Sequence, residues 1–348
     1  MSRQSNGLVL LAAGSTLLAL GLRRAARSRR RLAFAGQSVV VTGGSRGLGL
    51  VLARQLARQG ARLALLARDP VVLEQAEQEL LERDAEVMVL ACDVGEREQV
   101  ERSLARVVRR YGRIDVLINN AGIIQVGPME HMTLDDYQEA MAVHFWGPLY
   151  ASQAAVVYMR QQGGGRIVNI TSIGGEVAVP HLLPYTASKF AFVGLSDGMR
   201  AELAKDNILV TTVIPGLMRT GSHVNAWFKG QHELEYAWFS ISSSSPLTSI
   251  SAEKAARQIL EACQDGRTQL VITPQARLLV ILNVLFPGSL AALSKLANRL
   301  LPGPEPRFGD VAKTGWESQS RWSPSALTHR GDQKVIENNE LIPRITPQ

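Results

Sequence analysis

Ser38-Val39-Val40-Val41-Thr42-Gly43-Gly44-Ser45-Arg46-Gly47-Leu48-Gly49 runs directly into Leu50-Val51-Leu52-Ala53-Arg54-Gln55-Leu56-Ala57. The first apolar run reads as a buried strand, and after the glycines apolar residues recur at helical spacing. Glycines at a strand-to-helix turn let the backbone approach a pyrophosphate, while the helix N-terminus offers free N–H groups and the positive end of its dipole. A glycine-rich loop alone says little, but this one has the strand before it and the helix after it, the context its ligand needs. A structural turn without a ligand is the alternative.

Working outward, short apolar runs recur at Val39 to Val41, Leu63 to Leu66, Val87 to Ala91, Val116 to Ile118, Ile167 to Ile170 and Leu209 to Ile214, separated by longer helix-like segments. This alternation predicts an α/β fold, a doubly wound parallel sheet of Rossmann type with right-handed crossovers and helices on both faces. Such a sheet binds its ligand at the carboxyl ends of its strands. Ser172 lies at one such end, after Arg166-Ile167-Val168-Asn169-Ile170-Thr171. Downstream, Pro184 is suited to the first turn of a helix, which would put Tyr185 and Lys189 one turn apart on one face. A cation about 4 Å from the phenol would favour phenolate by roughly 4 kcal/mol at an effective dielectric near 20, bringing Tyr185 towards working pH as a general acid or base. A chance helical pair beside a strand-end serine is the bland reading of these three residues.

Taken together, the Thr42 to Gly49 loop, Cys92-Asp93-Val94, Asn119-Asn120-Ala121-Gly122, Ser172, Tyr185 with Lys189, and Pro215-Gly216 followed by Thr220 resemble the short-chain dehydrogenase/reductase family, over roughly Gln37 to Ile272. The resemblance implies a nicotinamide cofactor held by Gly43, Ser45, Arg46, Gly47, Leu48 and Gly49, with Asp93 and Val94 beside the adenine. It further implies that Asn120, Ala121 and Gly122 support the sheet beside the cofactor, and that Pro215, Gly216 and Thr220 complete the site. Tyr185 would be the proton donor, Lys189 would tune it and hold the nicotinamide ribose, and Ser172 would orient the carbonyl.

One position departs from the family pattern. His144 stands in Ala142-Val143-His144-Phe145 where the family usually carries an asparagine thought to anchor a water of the proton relay. A neutral imidazole has one donor and one acceptor and can hold such a water, but it is larger and titrates near neutrality. A packed helical histidine is the other reading. At the second strand's end, Ala67 replaces the aspartate of the family's NAD-type members, and Arg68 follows it. With Arg46 as a second cation, NADP(H) is expected over NAD(H). The alternative has both arginines as solvated charges and Asp69 on the ribose.

The net charge of +7 is local: residues 1–31 hold seven arginines and no acid, and the remaining 31 basic residues balance 31 acidic ones. A nucleic-acid partner for the body therefore has no charge support. The stretch from Gly7 to Leu22 is sixteen uncharged, mostly apolar residues, a helix of about 24 Å, slightly short of a hydrocarbon core but able to span it with snorkelling arginines. Most arginines follow the run, so a retained anchor would leave the body in the cytoplasm. A signal peptide, a transit peptide and a soluble tail are the alternatives.

Leu217 to Ile250 lacks periodicity and reads as a long loop over the substrate, its Trp227, Phe228, Tyr236, Trp238 and Phe239 either lining an apolar pocket or packing as small helices. Beyond it, Ser251 to Cys263 reads as a capped helix and Gln269 to Ile272 as the last strand. The apolar stretch Leu278 to Phe286, stopped by Pro287-Gly288, and an amphipathic helix over Leu290 to Leu301 would lie on a membrane, cover a partner subunit or pack on the body. The chain thus divides into an anchor and basic linker (1–36), a catalytic domain (37–272), an apolar extension (273–302) and a tail expected to be disordered (303–348). Cys92 and Cys263 are isolated, which implies neither a disulfide nor a metal site and fits a reducing compartment.

The expected activity is a membrane-anchored, NADP(H)-dependent interconversion of a ketone or aldehyde with an alcohol, on a lipophilic substrate such as a keto-acyl, sterol or retinoid compound. The alternative is a nucleotide-binding regulatory or scaffold protein with impaired turnover, which His144 alone favours. The resemblance allows a homodimer or a homotetramer, and no stretch decides between them.

Overall fold

The computed structural model describes residues 31–341. Its first strand, β1 (Ser38–Thr42), is covered on both faces, which is why its valines run on without polar alternation. Val39 and Val41 enter one core with Leu50 and Leu52, while Val40 enters a second with Leu104, Val107 and Ala151. The period of two along a strand therefore sorts a continuous apolar run into two separate cores.

The chain continues through α1 (Gly47–Ala57), β2 (Arg62–Ala67), α2 (Pro70–Leu81), β3 (Val87–Ala91), α3 (Arg97–Tyr111) and β4 (Val116–Asn119). After β5 (Gln125–Val126) come α4 (Leu134–Met141), a π-helical turn over Ala142–Trp146, α5 (Gly147–Gln161), β6 (Gly165–Ile170), α6 (Leu183–Leu203) and β7 (Ile208–Ile214). Then follow β8 (Leu217–Arg219), β9 (Trp227–Phe228), α7 (His232–Ser244), β10 (Ser249–Ser251), α8 (Ala252–Asp265) and β11 (Gln269–Val271). The last elements are α9 (Pro274–Leu285), α10 (Pro287–Asn298), β12 (Lys313–Thr314) and α11 (His329–Glu337).

Seven parallel strands pair in the order β11-β7-β6-β4-β1-β2-β3. The order reverses between β1 and β4, which opens a crevice at their carboxyl ends. Helices α1 and α8 cover one face of the sheet, and α3 and α5 the other. All six predicted apolar runs fall in sheet strands, and Ser251 caps α8 by accepting the Lys254 N–H.

Two expectations are corrected. Leu217 to Ile250 is not an irregular loop, for it carries β8, β9 and all of α7. Its serines conceal the helix because two of them hydrogen-bond the preceding turn instead of breaking it: Ser240 donates to the Ala237 carbonyl and Ser243 to that of Ser240. Residues 303–341, expected to be disordered, are folded onto the body. β12 pairs with β9, α11 packs beside α7, and Asn338 and Glu340 are buried. The composition misleads because this segment is held mainly by polar contacts to residues far away in sequence.

The hairpin of α9 and α10 leaves Leu278, Ile281, Val284, Phe286, Leu293 and Leu296 exposed. Among the described residues no helix is long and apolar enough to cross a membrane. The expected membrane helix over 7–22 lies outside the described residues.

Candidate active site

At the carboxyl ends of β1, β2 and β4 a cavity of about 590 Å³ opens. The turn after β1 forms one end of it. Gly43 has φ +64°, and a Cβ on Gly49 would sit 2.0 Å from the Gly43 carbonyl oxygen, so both positions are closed to larger residues. Thr42 Oγ1 accepts the N–H groups of Asn120 and Ala121, and Asn120 Nδ2 donates to the carbonyls of Thr42 and Gly43. The turn after β1 is thereby tied to the turn after β4. No side chain of Arg46 caps the N-terminus of α1. Gly47 and Leu48 at the head of α1 line the cavity, where the positive end of the helix dipole makes a suitable place for a diphosphate. Asp93, Val94, Arg46 and Arg68 line the same end, with Arg68 3.7 Å from Asp93.

At the other end, Pro184 lies in the first turn of α6 as expected, and Tyr185 and Lys189 share one face. Ser172 caps a 3-10 turn through the Gly174 N–H at 3.0 Å, which fixes its hydroxyl toward Tyr185. Lys189 Nζ donates to the carbonyl of Ile170 at 3.1 Å and lies 5.6 Å from the Tyr185 ring centroid. The expected lowering of the phenol is reversed in this state. Burial pushes Tyr185 above its ordinary value of 10, with the Ser172 hydroxyl pulling the other way, and burial lowers Lys189 to about 7. Desolvation outweighs the attraction because the lysine is spent on a carbonyl and on ring faces, not on the phenol oxygen. At neutral pH Tyr185 is therefore a neutral phenol, able to give a proton.

His144 sits in the π-helical turn, fully buried. The Ile123 N–H donates to Nε2 at 3.1 Å, so the ring proton is on Nδ1, which donates to Ser188 Oγ at 2.8 Å. Ser188 in turn donates to the Tyr185 carbonyl at 2.9 Å, and the imidazole meets the Tyr185 ring edge-on at 5.3 Å. Both ring nitrogens are thus engaged by protein groups, and the ring packs against Tyr185 as a buried histidine with a backbone partner, the other reading of this position. His144→Asn removes the bond to Ser188 and leaves space behind, so a loss of about 1–3 kcal/mol in stability is expected, with no rise in kcat. Thermal melts beside steady-state rates check this; a large gain in rate would reinstate the relay.

All the site residues drawn from the sequence line the cavity except Ser172 and Gly49. The sequence reading missed Leu182, Asn225 and Glu340, which also line it. Of the five aromatics expected over the substrate only Phe239 reaches it; Phe228 and Tyr236 pack with Phe239 in a third core over Val126, and Trp238 lies against it. Buried Glu235 fastens α7 above the site, accepting from His181 at 2.7 Å and from Trp238 at 2.6 Å. No local signal marks Asn225 or Glu340, because each acquires its place only through the folded tail.

A model of the short chain dehydrogenase family matches residues 37–229. An oxidoreductase of Bacillus subtilis, YxnA, is 30% identical over 256 residues, covering 72% of this chain and 69% of its own length. Gluconate 5-dehydrogenase of Gluconobacter oxydans is 34% identical over 187 residues, 54% of this chain and 73% of its own. Among solved structures, a short-chain dehydrogenase from Streptomyces avermitilis superposes with a TM-score of 0.64 at 27% identity, covering 76% of this chain and 98% of that one. The match runs from the start of β1 to the end of β9 and takes in both ends of the cavity, so the chain belongs to the short-chain dehydrogenase family of NAD(P)-dependent oxidoreductases.

Proposed function

We propose that this chain is an NADP(H)-preferring reductase of an apolar ketone or aldehyde, with Tyr185 as proton donor to the carbonyl oxygen. The observation that carries it is that Tyr185 and Lys189 line one end of a cavity whose other end is the glycine loop, with the Ser172 hydroxyl hydrogen-bonded to the phenol just outside the lining. The dinucleotide, when bound, supplies or takes the hydride. Ser172 holds the carbonyl oxygen, and Tyr185, neutral at working pH, gives that oxygen its proton. The His144 imidazole meets the phenol ring edge-on, and the Lys189 ammonium lies 5.6 Å from its centroid.

The NADP(H) preference is supported by what the second strand lacks. β2 ends at Ala67, and Asp69, which lines the cavity two residues on, uses Oδ1 to accept the N–H groups of Val71 and Val72 at the start of α2. No carboxylate of β2 therefore faces a 2′-phosphate, while Arg46 and Arg68 line that end of the cavity. Arg68→Ala is expected to weaken NADPH binding about 10- to 100-fold, the value of a charge-assisted hydrogen bond, and to leave NADH binding nearly unchanged. Equilibrium titration with both dinucleotides decides it; an equal loss for both would remove Arg68 from the 2′ position.

An apolar substrate agrees with the Leu182 and Phe239 lining, and a membrane-proximal, cytoplasm-facing body agrees with the apolar run before the arginines and with the bare hairpin of α9 and α10. NADPH oxidation against carbonyls of rising chain length tests the reading. Turnover of small soluble ketones with none of micellar long-chain ones would overturn the apolar substrate.

A further inference from the structure

The N-terminus of α1 has no side-chain cap of its own, yet the chain does not leave it bare. The carbonyl of Asn338, some 290 residues later, accepts the Gly47 N–H at 2.9 Å. Two residues on, Glu340 is buried with its carboxylate over the same turn. Oε2 lies 3.6 Å from Arg46 Nε and 2.6 Å from Asn225 Nδ2, and Oε1 is 2.7 Å from where a Cβ on Gly47 would stand. The segment is fastened along its length. Asn338 also donates to the Thr220 carbonyl and accepts from Arg54, and Asn339 donates to the carbonyls of Ser45 and Val72. Upstream, Lys334 pairs with Glu253 and Asp332 with His223.

At the start of α1 the Asn338 carbonyl takes the Gly47 N–H and the Glu340 carboxylate faces Arg46 of the glycine loop, so the strap engages a backbone donor and a cation that a diphosphate would use. Both anions cannot settle there, because like charges at contact distance repel and each needs those donors. We infer that the C-terminal strap, residues 329–341, is an autoinhibitory element of the dinucleotide site, in which Glu340 occupies the diphosphate seat and has to withdraw for the cofactor to bind. This rests on the glycine loop being that seat. The geometry is suited to exchange. Glu340 is three residues beyond the end of α11, so the 338–341 segment can leave while α11 stays packed beside α7. Because the diphosphate is common to both cofactors, the strap sets affinity for NADPH and NADH alike and leaves the choice between them to the 2′ end.

The test uses the full chain. Glu340→Gln keeps an oxygen to accept from Asn225 while removing the charge. If the strap is docked nine-tenths of the time or more, apparent affinity is reduced about tenfold or more, and the variant recovers that factor for both dinucleotides in equilibrium titrations. Amide hydrogen exchange of the unmodified chain gives a second readout: saturating NADPH is expected to speed exchange in 338–341. Unchanged or weaker binding by Glu340→Gln overturns the inference, and so does slower exchange of 338–341 with NADPH, which would make the strap a cover that closes on bound cofactor. Binding of neither dinucleotide by either form would overturn the assignment of the glycine loop, and the inference with it; equal binding by both overturns the inference alone.

Discussion

Tyr185→Phe is expected to lower kcat for carbonyl reduction by about 10³-fold, within the range found for removal of a positioned general acid, with dinucleotide affinity nearly unchanged. The change deletes one oxygen from a ring that stays packed between His144 and Gly174. Stability should move little, because the deleted hydroxyl lies beside an open cavity and Ser172 Oγ still accepts the Gly174 N–H at 3.0 Å. The pH dependence gives the sharper readout. Burial holds the phenol above its ordinary value, so its proton is present throughout the neutral range, and reduction should stay level until well into alkaline pH. Alcohol oxidation needs the phenolate and should rise with pH over the same interval. A variant that keeps reduction within about threefold of the parent, with the same profile, would show that the proton comes from elsewhere.

The same tyrosine marks where reading the sequence succeeds and where it stops. Its placement was legible because Pro184 fixes the start of α6 and a spacing of one turn then fixes Tyr185 and Lys189 on one face, all local facts. Its electrostatics were not. The attraction between the pair was expected to lower the phenol, but the outcome depends on how much water the folded site excludes and on which acceptor the lysine finds, here the Ile170 carbonyl. His144 teaches the same lesson: its position in the chain raised the question of a relay, and only the Ile123 and Ser188 contacts answer it.

The strands were legible because both faces of the sheet are covered, which makes each an unbroken apolar run. The tail was not, since its order comes from Asn338, Asn339 and Glu340 meeting Gly47, Ser45 and Asn225. Polar residues of that kind read as solvated until the distant partner is known.

Lys189→Met should stabilise the dinucleotide-free protein while removing most of its activity. Burial lowers the ammonium from 10.5 to about 7, so near neutrality the folded state has to hold or shed a proton that the unfolded chain keeps freely. At 1.36 kcal/mol per tenfold, that shift is a burden of roughly 5 kcal/mol below pH 7. Against the gain stands the Ile170 carbonyl, which loses its donor at a cost of about 1–2 kcal/mol, leaving a net gain of roughly 3 kcal/mol and a rise in Tm of about 5 °C. The sign with pH follows from proton counting. Between about 7 and 10.5 the unfolded chain binds more protons than the folded one, so the parent gains stability as pH rises through that window. Methionine does not titrate, so the advantage of the variant should be largest at pH 6 to 7 and shrink towards pH 10. Thermal melts of both proteins without dinucleotide at pH 6, 8 and 10 measure this directly. A variant less stable at every pH, or a difference that does not change with pH, would mean that Lys189 keeps its charge at little cost in the folded site. The expected result is instead a lysine retained for chemistry at the expense of the fold, the trade that active sites commonly make.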